Sequence, residues 1–302
     1  MIKKSVTIGI PAYNEEENIT FLLRDIQSQS RNNWILDQII VYSDGSTDKT
    51  VELIKKQNIG KIKIIQSKYR KGVSYGQNLI MGKTKSDLLF LLNADITIKN
   101  KKLFDKIIPK FDEDTGLVSV RVTPVKATTF FEKVINWSHS VKYLSYEALS
   151  LDNIYLCHGR FRAMSYKLYK KMVFPKVIAE DAFSYLICKK YNLKFKYLKS
   201  LKIMFRSPTN INDHIKQSKR FLNGARELMK LYGVKKIKNE YNLKNLGSLL
   251  VWLKSVIMNP VYFVLYLLIF SYSVITLKLG TNFGSYIWLI SDSSKKIYAK
   301  KR

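Results

Sequence analysis

The feature that most constrains this chain is a regular alternation over residues 4–98. Short runs rich in Val, Ile and Leu alternate with stretches whose apolar residues recur at helical spacing. "SVTIGIPAY" reads as a strand ending at Pro11. "NEEENITFLLRDIQSQ" then reads as a helix with acids in its first turn and Ile19, Leu22, Leu23 and Ile26 on one face. "LDQIIVYSD", "KIKIIQS" and "DLLFLLNAD" are further strands. "STDKTVELIKKQ" and "GVSYGQNLIMGKTK" are further helices, the former with Val51, Leu53 and Ile54 inward. Near-continuous apolar strands separated by helices specify an α/β fold, a parallel sheet covered on both faces. Ligands of such sheets bind beyond the carboxyl ends of the strands. Tyr13, Asp44 and Asp95 are therefore expected on one rim.

From about residue 117 the pattern loosens. "GLVSVRVTPV" is a strand, residues 128–150 an aromatic helix, and "YLCHGRFRAMSYKLYKKM" a strand, turn and helix. "AEDAFSYLICKKY" is a helix opening on two acids, which also suit a helix N-terminus electrostatically. "KFKYLKSLKIMFRS" alternates basic and apolar residues, as an edge strand with a basic outer face would. "NDHIKQSKRFLNGARELMKLYG" is a basic amphipathic helix. Cys157 and Cys188 have neither metal nor disulfide spacing and are expected as small core residues in a reducing compartment. The N-terminal apolar run is too short, and too soon followed by acids, for a signal peptide.

The tail changes character. Residues 260–277 carry no charge and just reach the length of a spanning helix, whereas residues 246–258 are shorter and include Lys254. Lys235, Lys236, Lys238 and Lys244 precede the apolar region; Lys295, Lys296, Lys300, Lys301 and Arg302 follow it. Positive flanks favour the cytoplasmic side, and a single span cannot keep both there. A re-entrant or two-helix hairpin can, as can helices lying in the interface. A buried core of a small C-terminal subdomain is the soluble alternative. The net charge of +29, from 52 Lys+Arg and 23 Asp+Glu, suits an anionic membrane or phosphorylated ligands. A nucleic-acid partner is not expected, because no recognition helix, zinc spacing or stacking motif accompanies the charge.

Chemistry concentrates in a few short motifs. In "VYSDGSTDKT", Asp44 follows a strand, Gly45 permits a sharp turn, and Ser46 or Thr47 can cap the next helix. A carboxylate there can accept hydrogen bonds from a base or ribose, and a nearby helix N-terminus suits phosphate. In "LLFLLNADITI", a buried strand delivers Asp95 at its tip.

Together, "VTIGIPAYNEEENI", "YSDGSTDKT", "KGVSYGQN" and "LLFLLNADITI" resemble the nucleotide-binding half of the family 2 glycosyltransferases. "HGRFRAMS", "AEDAFSYLI" and "QSKRF" resemble acceptor-side motifs of the family's membrane-associated and processive branches. The resemblance covers residues 5–225 and implies a GT-A fold: a Rossmann-like nucleotide-binding sheet with helices on both faces, here followed by a C-terminal hydrophobic helical membrane segment. It implies a catalytic domain over residues 1–232, with a nucleotide-binding half (1–98) and an acceptor half (99–232), and a membrane-associating tail over 233–302.

The same resemblance implies roles. Pro11, Tyr13, Glu15, Asp44 and Asn93 would line the nucleotide pocket, Asp44 binding the base. Asp95 would hold Mg²⁺ or Mn²⁺ at the position of the family's Asp-x-Asp motif, whose first member is here Asn93, which lowers the charge of the site. Asp181 would be the general base of an inverting displacement, and Glu180 would orient it. Gln217, Arg220 and Phe221 would meet the diphosphate and acceptor, with Phe221 where the family usually has Trp. Arg70 and Lys71 are candidates for phosphate and His158 for the acceptor, while His139 and His214 read as structural. The implied partners are a nucleoside-diphosphate sugar, UDP-sugar foremost, a lipid-linked or glycan acceptor, and the membrane, with catalysis on its cytoplasmic face. A chain ending so soon after its apolar tail is expected to add one or a few sugars rather than export a polymer. The competing readings are a polyprenyl-phosphate sugar synthase and, given Asn93 and Phe221, an inactive membrane scaffold.

Overall fold

The structure is a computed structural model that describes residues 3–279 and 291–297. The chain begins β1 (Lys4–Ala12), α1 (Ile19–Gln27), β2 (Trp34–Asp44), α2 (Thr50–Lys56), β3 (Ile62–Ser67), α3 (Val73–Lys83) and β4 (Leu88–Leu92), the alternation expected for residues 4–98. It continues with α4 (Leu103–Ile107), β5 (Thr115–Pro124), α5 (Phe130–Leu149), β6 (Phe161–Ser165), α6 (Tyr166–Tyr169), α7 (Glu180–Lys190) and β7 (Lys194–Phe205). The helices α8 (Ile211–Tyr232), α9 (Val234–Glu240), α10 (Leu246–Met258) and α11 (Pro260–Leu279) follow.

All seven strands form one sheet in the order β3-β2-β1-β4-β6-β5-β7. β1 pairs in parallel with β2 and β4, and β2 with β3. The strands of residues 4–98 thus pair in parallel as expected, whereas the seven-stranded sheet as a whole is mixed. β6 enters between β4 and β5 and runs antiparallel to both, while β7 lies parallel to β5. β7 is the edge, as its pattern suggested: Phe195, Tyr197, Leu201 and Ile203 are buried while Lys194, Lys199 and Lys202 are exposed. The strand order reverses direction at β1 and β4, so a crevice opens beyond their carboxyl ends. That crevice is rigid because its floor is the centre of the core. Val6, Ile8, Ile10, Leu89 and Phe90 are fully buried, and each such side chain contributes roughly 1.5–3 kcal/mol.

Three local expectations fail for physical reasons. α1 starts at Ile19 and has no acid in its first turn. Glu15, Glu16 and Glu17 stand in the loop ahead of it, because Asn14 takes a left-handed φ of 50° and the Glu15 N–H is bonded to Thr50 Oγ1. Ser46 and Thr47 do not cap α2, whose N-cap is Lys49. Ile54 is buried and Leu53 packs half-buried against the core as expected, whereas Val51 is only half-buried and Thr50 is buried in its place. Cys157 and Cys188 are free and buried, as expected.

In the tail, α10 packs on α5, and α11 packs on α5 and α8. Tyr266 of α11 buries itself with Val134 and Ile135 of α5. The chain turns by 112° between α10 and α11, at Asn259. Among the described residues no single helix is long and apolar enough to cross a membrane; the bent pair passes only together. Nor is the pair a buried subdomain core, since Leu249, Leu253, Ile257, Val264 and Leu268 are exposed. Lys300, Lys301 and Arg302 lie outside the described residues.

Candidate active site

The polar residues of the β2–α2 turn hold the β1–α1 loop. Ser46 Oγ accepts from Asn14 N at 3.1 Å, Asn14 Oδ1 from Thr47 N at 2.8 Å, and Asp48 Oδ2 from Glu16 N at 3.1 Å. Asp44 is the anchor. Its Oδ1 accepts from Lys71 N at 2.6 Å and Tyr42 Oη at 3.1 Å, and its Oδ2 from Gly72 N at 3.0 Å. Gly45, at φ 73°, follows it; a Cβ there would sit 3.0 Å from Arg70 N, so only glycine fits the turn. These bonds tie the ends of β1, β2 and β3 into one unit.

Tyr13 is the aromatic floor of that unit. The Arg70 guanidinium lies 4.0 Å from its ring centroid. From the far end of the chain, Lys295 lies over the same ring, 5.4 Å from its centroid. Lys295 Nζ also donates to the Tyr13 carbonyl and to Asn14 O at 2.8 Å, and pairs with Glu15 Oε1 at 3.2 Å. Burial pushes Glu15 up to about 7, against the opposing pull of Lys295. The surrounding segment is fastened: Asn18 bridges to the Lys295 carbonyl and Ile297 N, and Asp213 Oδ2 accepts from Ser293 N at 2.9 Å. Sequence reasoning missed Lys295, which reads there as one lysine of a basic flank.

Asn93 and Asp95 follow β4. Asn93 N donates to Arg160 O at 3.1 Å, which joins the end of β4 to the start of β6. Among the described residues, no group of three His, Cys, Asp or Glu is placed to hold a metal unaided. Asp95 accepts no hydrogen bond from a described residue, so its oxygens and the Asn93 amide oxygen are the available donors. That set suits Mg²⁺ or Mn²⁺, hard ions that complete their shells with water and substrate phosphate.

A carboxylate pair stands at the start of α7. Asp181 Oδ2 accepts from Gly159 N at 3.0 Å and its Oδ1 from Ala182 N at 2.8 Å. Any side chain on Gly159 would press on the pair, 3.0 Å from Glu180 Oε1. Glu180 is buried, and Arg162 Nη2 stands 3.7 Å away, too far for a close ion pair. Burial, then the Asp181 charge, raises Glu180 to about 8, so it carries its proton at neutral pH. Arg220 on α8 is lowered to about 10 by burial and by Arg160, and stays charged.

One cavity of about 590 Å³ gathers these groups. Pro11, Tyr13, Glu15, Asp44, Asn93 and Asp95 line it from the ends of β1, β2 and β4. Glu180, Asp181, Gln217, Arg220 and Phe221 line it from α7 and α8. Arg70 and all three histidines, His139, His158 and His214, also reach it, whereas Lys71 does not. Beyond the carboxylate pair the cavity extends between α5, α8 and α11 as an aromatic arm, walled by Tyr143, Tyr146, Tyr155, Tyr241, Tyr266 and Phe270. Sequence reasoning did not place this arm, although the aromatic content of residues 128–150 was its visible trace.

A Rossmann-like half-sheet with an acidic rim, joined through a reversed strand to a half bearing a carboxylate pair, is the GT-A class of fold. The chain belongs to glycosyl transferase family 2, whose profile matches residues 7–173. The chain is similar to the 4,4'-diaponeurosporenoate glycosyltransferase of Staphylococcus haemolyticus, 29% identical over 126 residues. That match covers 39% of this chain and 32% of the relative, so the chain spans about a third of the relative's length. The mannosyltransferase PcManGT from Pyrobaculum calidifontis, solved with GDP-Man and Mn²⁺, has the same fold, with a TM-score of 0.65 at 15% identity over 93% of this chain and 82% of that one. TarS of S. aureus, solved with UDP-GlcNAc, aligns with a TM-score of 0.51 at 18% identity over 68% of this chain and 59% of that one.

Proposed function

We propose that this protein is an inverting, metal-dependent glycosyltransferase that moves a sugar from a nucleoside-diphosphate sugar, UDP-sugars foremost, to a lipid-linked or glycan acceptor. The observation that carries this reading is the single cavity shared by the acidic rim and the carboxylate pair. Tyr13, with Pro11 and Asp44, would seat the base and ribose, and Glu15 and Asn93 would complete the nucleotide pocket. Asp95, with Asn93, would hold the divalent ion, which offsets the charge of the leaving diphosphate.

Asp181 would take the proton of the acceptor hydroxyl as the oxygen attacks the anomeric carbon and the bond to the diphosphate breaks. The backbone N–H groups of Gly159 and Ala182 fix its carboxylate for that task. Glu180, held protonated, can hydrogen-bond without adding a second negative charge. Arg220 would offset charge on the diphosphate, while Gln217, half-buried, and Phe221, exposed at the mouth, would meet the acceptor. Residues 1–232 would be the catalytic unit, and 233–302 would dock it on the cytoplasmic membrane face through the exposed apolar side of α10 and α11.

The test is transfer from a panel of UDP- and GDP-sugars to membrane lipid extract, followed by mass spectrometry. The wild type is expected to give a sugar-mass product that Asp181→Asn lowers by about a hundredfold or more. Full activity in Asp181→Asn would refute the assigned base.

A further inference from the structure

Between the carboxylate pair and the aromatic arm lies a group of cations that the proposed chemistry leaves unexplained. Lys142 of α5 donates to Tyr266 Oη at 2.5 Å, and its ammonium sits 4.8 Å from the Tyr266 ring centroid. The Arg160 guanidinium lies 3.9 Å from the Phe205 ring centroid, and its Nη1 lies 3.4 Å from His158 Nε2. Among the described residues neither cation is paired with a carboxylate. The nearby acid Glu180 is protonated at neutral pH, and Asp181 is already bonded to two backbone N–H groups. Both residues are half-buried on the cavity wall, so each cation is within reach of a ligand that enters the cavity.

Two more groups await a partner at the same place. Tyr143 Oη is buried on the cavity wall with no hydrogen-bond partner, its residue only 8% exposed. Arg160 Nε is likewise buried and unpartnered. A buried donor left unmade costs about 1–3 kcal/mol, more when charged. Outward of this cluster the walls are Tyr146, Tyr155 and Phe270, which hold no charge. Tyr146 and Tyr155 stack at 4.3 Å, forming a flat apolar surface.

We propose that Lys142, Tyr143 and Arg160 form a subsite for an oxyanion, a phosphate or carboxylate, carried by an acceptor whose apolar chain lies in the aromatic arm. This deepens the glycosyltransferase reading and rests on it only for the word acceptor; the subsite itself is defined by charge and geometry. Lys142 and Tyr143 sit on α5, an element that carries none of the residues assigned to the donor, which favours the acceptor as the ligand they meet.

The test is calorimetric binding of farnesyl phosphate, farnesoate, farnesol and inorganic phosphate to the full chain in neutral detergent, with UDP and Mn²⁺ titrated separately. Farnesyl phosphate or farnesoate should bind at least about tenfold tighter than farnesol, the scale of one charged hydrogen bond. Whichever binds more tightly identifies the oxyanion. Inorganic phosphate alone should bind more weakly than either. Lys142→Met and Tyr143→Phe should each lower the preference for the anionic chain, leaving UDP affinity unchanged. Equal binding of farnesol and the anionic chains would overturn the proposal. So would tighter binding of free phosphate, or a preference that survives both substitutions. Failure of UDP to bind while the anionic chain still binds would refute the glycosyltransferase reading and leave the subsite standing.

Discussion

Lys295 and Glu15 show how one residue pair can couple the two ends of the chain. Lys295 fastens the Tyr13 and Asn14 carbonyls, and it is the cation paired with Glu15 on the cavity wall. Lys295→Met should therefore weaken nucleotide binding and lower stability by about 1–3 kcal/mol. Adding Glu15→Gln should restore part of the stability, because the stranded carboxyl is removed. Thermal melts of both variants check this; a double variant no more stable than the single one would mean the pair is not coupled. The histidines make a second prediction. His139 and His158 are held well below the ordinary value near 6.5 by burial, and His214 is lowered to about 4 by burial and then by Lys142. The folded chain keeps them neutral, while the unfolded chain takes up protons near 6.5. Their contribution is thus fully present above that value and is lost as pH falls from 6.5 toward 4, each tenfold difference in proton affinity being worth about 1.4 kcal/mol. Denaturant midpoints should drop over that window, and His214→Gln should flatten the drop; a midpoint independent of pH would contradict it. Lys295 was not legible as a site residue in the sequence, because its partners lie some 280 residues away and nothing local marks it.

At the scale of elements, local periodicity was a good guide wherever packing alone decides structure. β1, β2 and β4 alternate with helices as their apolar runs suggested, and the basic edge strand is β7. It failed where polar side chains override helix-forming tendency. The acids after Tyr13 do not start α1, because Thr50, Asp48 and Ser46 capture the loop's N–H groups first. The antiparallel insertion of β6 was also invisible, since strand direction depends on a crossover through α5 rather than on strand composition. The tail was legible in character but not in shape: its apolarity is plain, and the 112° turn at Asn259 is a tertiary outcome. Leu253 and Leu268 are 50% and 63% exposed on this pair. If the pair docks on lipid, each should bury its side chain there at roughly 1.5–3 kcal/mol. Leu253→Glu with Leu268→Glu should then abolish co-sedimentation with anionic vesicles while leaving UDP affinity intact. Unchanged co-sedimentation would refute docking through this face.

At the scale of the molecule, the fold brings to one cavity an acidic rim built by three parallel strands and a carboxylate pair carried by a helix from the second half. Eleven of the residues singled out from sequence motifs line it and Lys71 does not; most of the eleven end strands or start helices at the sheet's carboxyl edge, while Gln217, Arg220 and Phe221 come from within α8. The aromatic arm and its cations escaped notice because α5, α8 and α11 meet only in three dimensions. The net charge of +29 would suit the proposed docking on anionic lipid and the proposed anionic ligands. The decisive measurement is calorimetric titration of UDP and GDP, with and without Mn²⁺, into the wild type and Asp95→Ala in detergent. Metal-dependent binding of one nucleotide, lost in Asp95→Ala, is the expected result. Binding of neither nucleotide, or binding indifferent to both Mn²⁺ and Asp95, would contradict a metal-assisted glycosyltransferase site.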